Sequence, residues 1–222
     1  MEVKSIHRML KIADLFTLTS AFLFGMGLFL LLINEYFSVA IIIIIVAIFD
    51  LLDGIVARAM RQQNEFGMFL DGFTDILCFA VLPALFVFKV FMDTSYISVF
   101  CLALFIMSNV LRQSRIALKP KDILGPTNTA FSFFIVFFYL SGFQIGIIAW
   151  QVLFIIMSIL FLSDIKYPNH REIEQTIWKR KYIFILIIIL AAFLIYFNLA
   201  YHAIWIFILL YIFVSPFVKR FC

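Results

Sequence analysis

Four aspartates crowd into a stretch of chain that is otherwise oily. Asp50 and Asp53 stand three residues apart and Asp71 and Asp75 four apart, with Gly54, Ala57, Arg58 and Gly67 between the two pairs. An Asp at the centre of a membrane helix costs roughly 3 kcal/mol on insertion scales, so four facing lipid would cost on the order of 10 kcal/mol, as much as a whole domain's stability. Such a cluster calls for cations and a polar substrate. Carboxylate oxygens suit the hard ions Mg²⁺, Mn²⁺ and Ca²⁺, whereas zinc would want His or Cys. His7, His170 and His202 are scattered, and Cys78, Cys101 and Cys222 share no CxxC spacing, so neither a His-based centre nor a thiol pair is visible.

Helical periodicity sets these residues on faces. Asp50, Asp53, Gly54 and Ala57 follow one another on one side of a helix, presenting two carboxylates beside a surface cleared of bulky side chains. Gly67, Asp71 and Asp75, spaced by fours, make a matching face on the next helix. Antiparallel and joined by a short loop, the two helices could bring eight carboxylate oxygens together. Arg58 adds a fixed cation suited to a phosphate, and paired metals suit displacement at phosphorus.

The rest of the chain must hold those helices in a bilayer. Of its 222 residues 65% are hydrophobic and 14% charged, which excludes a soluble globular domain. Eight spans are expected: Leu15 to Ile33, Phe37 to Ala57, Gly67 to Met92, Tyr96 to Ser114, Thr129 to Ser141, Phe143 to Leu162, Tyr182 to Ala200, and Ala203 to Phe217. With both termini cytoplasmic, 16 of the 17 Lys and Arg residues fall inside and Lys89 alone outside, a split that any added or lost span would spoil. The net charge of +4 then reads as an orientation signal with some attraction to anionic headgroups, and implies no nucleic acid.

The expected architecture is therefore all-α, a polytopic helical bundle forming one membrane domain over 1–222. Val3, Ile6 and Leu10 alternate with Lys4, Arg8 and Lys11 as in an amphipathic interfacial helix over 1–13. A six-helix core follows over 14–162, then a cytoplasmic connector over 163–181 and two further spans over 182–218.

The full pattern, Asp-x2-Asp-Gly-x2-Ala-Arg-x8-Gly-x3-Asp-x3-Asp, resembles the signature of the CDP-alcohol phosphatidyltransferase family, with all eight specified positions present. The resemblance implies transfer of a phosphatidyl or archaetidyl group from a CDP-activated lipid, CDP-diacylglycerol or CDP-archaeol, to a small alcohol with release of CMP. It implies Asp50, Asp53 and Asp71 as metal ligands, and Asp75 as the general base that also touches metal. Two ions, Mg²⁺ or Mn²⁺ with Ca²⁺ as another occupant, are the implied cofactors. Asp50, Gly54, Ala57, Arg58 and Gly67 would line the CDP-lipid pocket. Asp14 and Thr17 are similar to an upstream Asn-x-x-Thr near the nucleotide, with Asp in place of Asn. Membrane lipids surround the protein, and a homodimer is the implied assembly.

Phe79, Pro83-Ala84-Leu85, Leu111-Arg112 with Arg115, Gly125-Pro126, Asp164-Ile165 leading to Tyr167-Pro168, and the two late spans resemble the phosphatidylserine synthase branch. L-serine is then the implied acceptor. Its carboxylate would need a cation able to make a bidentate contact, and Arg112 and Arg115 at the end of the fourth span are the candidates. A phosphorylated polyol, glycerol phosphate or inositol phosphate, is the alternative acceptor for the same chemistry. A cation transporter is the alternative of a different class, since intramembrane carboxylates also line ion paths.

Overall fold

The computed structural model describes residues 11–60, 65–118, 125–165, 167 and 200–218. The interfacial helix over residues 1–10, Lys119, Lys121, most of the connector, the span from Tyr182 and Cys222 lie outside the described residues, as do the side chains of Ala57 and Arg58. Among the described residues every regular element is helical: α1 (Ile12–Leu32), α2 (Tyr36–Ala59), α3 (Glu65–Asp75), a π-helical segment (Ile76–Val81), α4 (Leu82–Phe91), α5 (Tyr96–Leu118), α6 (Asn128–Leu140), α7 (Ile147–Leu162) and α8 (Ala200–Val218).

Among the described residues four stretches, Asp14–Leu32, Tyr36–Val56, Phe66–Phe91 and Tyr96–Leu118, are long and apolar enough to cross a bilayer, and three shorter apolar helices accompany them. Large apolar side chains crowd the outside, among them Phe22, Phe29, Leu32, Leu51 and Phe73, each more than half exposed. Such a surface is stable against lipid and would aggregate in water, so the chain is an integral membrane protein built as an all-α bundle.

The inside is packed with rings. Phe91 stacks on Trp150 at 4.9 Å between centroids, and Trp150 meets Phe138 edge-on at 5.1 Å. Nearer the carboxylates, Phe105 contacts Phe131, Phe154 and Phe161 at 5.2, 4.7 and 5.7 Å. Together these aromatics lock α4, α5, α6 and α7 into one core. A Cβ on Gly27 would lie 2.9 Å from the Leu82 side chain, so this glycine lets α1 settle against the third span.

That third span is one continuous helical rod whose middle is widened. Pro83 has no N–H, so the carbonyl of Phe79 four residues earlier lacks its α-helical donor. The chain answers with the π turn, in which the Leu82 N–H bonds to the Leu77 carbonyl, while Ser132 on α6 donates its hydroxyl to the Phe79 oxygen at 2.8 Å. The expected span from Gly67 to Met92 thus stands, with an irregularity directly after Asp75.

α1 starts three residues before the expected Leu15. The Asp14 carboxylate accepts the Lys11 backbone N–H at 2.7 Å, a helix-starting contact that draws Ile12, Ala13 and Asp14 itself into the first helix. At the other end of the chain Tyr167 donates its hydroxyl to the Ile212 carbonyl at 2.7 Å, tying the described part of the connector to α8. Burial pushes the Tyr167 phenol up to about 12, so it stays a donor at any physiological pH.

Candidate active site

α2 and α3 lie on either side of the short connection between Ala59 and Glu65, and their facing turns carry the acidic side chains. Asp50, Asp53 and Asp71 each offer an oxygen within 4.8 Å of the other two. Two oxygens bound to one hard cation at 2.0–2.6 Å stand at most about 4–5 Å apart, so the three carboxylates fit a shared divalent ion, and their chemistry fits Mg²⁺, Mn²⁺ or Ca²⁺. Asp75, one turn beyond Asp71, comes within hydrogen-bonding reach of the Asp50 carboxyl. Carboxylates this close repel strongly where the dielectric constant is low, and a cation among them removes that penalty.

α1 closes the cluster from a third side. Thr17, buried, donates its hydroxyl to Asp53 Oδ2 at 2.8 Å, which fixes the carboxylate's direction. Asp14 sits one turn before it, also buried, close enough to act electrostatically on Asp53 while its own oxygen caps α1. Gly54 continues the face of Asp50 and Asp53, and Gly67 precedes Asp71 by one turn on α3.

The fourth wall is α5. A Cβ on Gly72 would stand 3.2 Å from Gln113 Nε2, so α5 approaches α3 closely at the level of the acidic cluster. The neighbouring Arg112 is 4% exposed, donates from Nη1 to Asn128 Oδ1 at 3.1 Å, and lies 5.6 Å from the centroid of the Phe161 ring. Asp75 and Tyr211 of α8 are near enough to act on its charge. Among the described residues the ion pair belongs instead to Arg115, with Asp164 at 3.1 Å.

The two arginines therefore part company. Arg115 spends its guanidinium on the C-terminus of α7, donating to the carbonyls of Phe161, Leu162 and Ser163 at 3.2, 3.3 and 3.0 Å. Those are the carbonyls a helix end leaves without donors. Arg112 is buried against Asn128 and the Phe161 ring, within electrostatic reach of Asp75. Asn109 and Asn128 share this region with Tyr211, whose Leu210-Tyr211 pair resembles the phosphatidylserine synthase branch, and neither asparagine was singled out by sequence spacing. An amide in the middle of a membrane span was the signal that could have found Asn109.

A cavity at the opposite end of the bundle, lined by Val90, Phe91, Tyr139 and Phe143, carries no carboxylate. The acidic cluster is where chemistry is possible. Fold and site together define a polytopic membrane protein with a carboxylate centre, fitted to hard cations, set between its helices near one end.

A sequence model of the family described as CDP-alcohol phosphatidyltransferase matches residues 10–160, and the chain belongs to that family. It is 28% identical over 174 residues to an archaetidylserine synthase of Methanothermobacter thermautotrophicus, covering 76% of this chain and 74% of the relative. It is 30% identical over 169 residues to a CDP-diacylglycerol--serine O-phosphatidyltransferase of Methanocaldococcus jannaschii, covering 75% and 78%. A Helicobacter pylori protein with the same name as the second is 26% identical over 188 residues, covering 79% and 78%.

Proposed function

We propose that this protein transfers the lipid phosphate of CDP-diacylglycerol or CDP-archaeol to the hydroxyl of L-serine, releasing CMP. The observation that carries the reading is a buried arginine, Arg112, near enough to Asp75 of the acidic cluster for the two charges to interact, together with the serine-specific names of the relatives.

Divalent ions, Mg²⁺ or Mn²⁺ and two in number, would be held by Asp50, Asp53, Asp71 and Asp75, and would supply charge neutralisation at the phosphates. Asp14, Thr17, Gly54, Ala57, Arg58 and Gly67 form the CDP-lipid pocket, Arg58 offering its cation to a phosphate. Arg112 takes the serine carboxylate, and Arg115 shapes the same wall by holding the end of α7. Asp75 accepts the proton of the serine hydroxyl as the new oxygen–phosphorus bond forms and the bond to CMP breaks. Thr17 keeps Asp53 aimed, and the apolar surfaces of the spans leave the lipid tails in the bilayer.

The site faces the cytoplasm, where CDP-lipid headgroups and serine meet, and both termini lie on that side. The catalytic core runs over 14–162 within one membrane domain, and the assembly is a homodimer. Purified protein supplied with CDP-activated lipid and Mn²⁺ or Mg²⁺ should release CMP with serine. Release with glycerol phosphate or inositol phosphate and none with serine would refute the acceptor assignment. Cation flux through reconstituted vesicles without CMP release would favour the transporter reading.

A further inference from the structure

Two buried polar atoms on one face of α5 lack partners among the described residues. Asn109 Oδ1 and Arg112 Nε are both enclosed and make no hydrogen bond to any described residue, and their residues, 0% and 4% exposed, stand three apart, hence on neighbouring turns of the same side. The Asn109 amide cannot simply be reversed. Its Nδ2 already donates to the Phe105 carbonyl at 2.8 Å, and turning it over would set two acceptor oxygens against each other. An acceptor and a cationic donor are therefore held side by side, each costing stability while unmet.

Arg112 is also a buried charge with no carboxylate in contact among the described residues, a state that costs several kcal/mol unless an anion completes it. A ligand that satisfies both atoms carries a carboxylate for Arg112 and an ammonium for Asn109 on adjacent positions. An α-amino acid has that pattern, and a phosphorylated polyol has no ammonium.

We infer that Asn109 is the residue that reads the α-ammonium of the amino-acid acceptor while Arg112 holds its carboxylate, so the pair sets acceptor specificity. This rests on the serine reading above and adds a specificity residue to it. Charge-assisted hydrogen bonds to a buried amide contribute enough to change affinity by about tenfold to a hundredfold.

The test compares L-serine with 3-hydroxypropanoate, which keeps the hydroxyl and carboxylate and lacks the ammonium, using 3-hydroxypropanoate as a competitor of labelled serine incorporation into lipid. In the wild type serine should bind at least tenfold more tightly than the analogue. Asn109→Leu should weaken serine by tenfold or more, leave the inhibition constant of 3-hydroxypropanoate within about threefold, and preserve CDP-lipid binding. Asn109→Asp, which restores the acceptor, should recover the preference for serine. Equal weakening of both ligands, or an unchanged serine affinity in Asn109→Leu, overturns the inference. A wild type that neither binds nor uses serine overturns the acceptor reading itself, which separates the two failures.

Discussion

At the scale of single residues, the proposed reaction asks Asp50, Asp53 and Asp71 chiefly to hold cations and Asp75 chiefly to handle a proton, its contact with metal being the lesser part of its role. Asp53 is the most enclosed of the three clustered carboxylates and is aimed by Thr17, so Asp53→Ala should lower Mn²⁺ affinity at least tenfold by calorimetry and abolish CMP release. Asp75→Asn keeps the shape and loses the base, so it should retain Mn²⁺ binding within about threefold while turnover falls by about 10² to 10⁴. Wild-type metal affinity in Asp53→Ala would contradict these roles. The cluster was legible in the chain because spacings of three and four place charges on one helix face before any tertiary contact is known, whereas the division of roles within it comes from the family resemblance. The difference between Arg112 and Arg115 was not legible. Both are cations three apart on α5, and what separates them is contact with residues 161–164, some 46 to 49 positions away in sequence. Asn109 escaped for a related reason, since its meaning comes from an unmet oxygen that only packing reveals.

At the scale of elements, the span carrying Asp71 and Asp75 depends on a neighbour to complete its backbone. Ser132 lies between the Phe79 carbonyl across the interface, at 2.8 Å, and the Asn128 carbonyl of its own helix, at 2.9 Å, whereas Ser158 on α7 bonds only back to Phe154 of its own helix, at 2.7 Å. Ser132→Ala should therefore destabilise the protein by about 1–3 kcal/mol, the cost of a buried carbonyl left unmet, and Ser158→Ala by under about 1 kcal/mol. Chemical denaturation in detergent measures both, and equal effects would remove Ser132 from that role. Gly125 makes a second element-level prediction. It has φ of +76° and a Cβ there would meet the Leu160 carbonyl at 2.9 Å, so Gly125→Ala should cost about 1–3 kcal/mol and loosen the α7 terminus that Arg115 caps. Sequence reading located this third span by its apolar run and placed a proline within it. Hydropathy has no period for a π turn, so the widening after Asp75 had to be seen in the backbone.

At the scale of the whole molecule, the bundle places its acidic cluster near one end and an acid-free cavity near the other, and membrane orientation decides which compartment each one meets. The bundle itself was readable from composition, because long apolar helices with greasy outer faces have no other stable setting. Orientation rests on charge. In the sequence, basic residues concentrate at the connections next to the cluster and Lys89 sits near the far end of α4, so the proposed orientation, with the cluster inward, is the one that cytoplasmic retention of Lys and Arg would favour. Impermeant thiol labelling tests this directly. Cys78 and Cys101 are buried and unreactive toward such reagents, so Cys222→Ser supplies a quiet background. Gln144→Cys, exposed at the connection between α6 and α7, should label in sealed right-side-out vesicles, and Leu118→Cys at the end of α5 only after the membrane is opened. The opposite pattern would put the carboxylates outside, away from the cytoplasmic nucleotide and serine pools, and would leave the proposed transfer without its substrates.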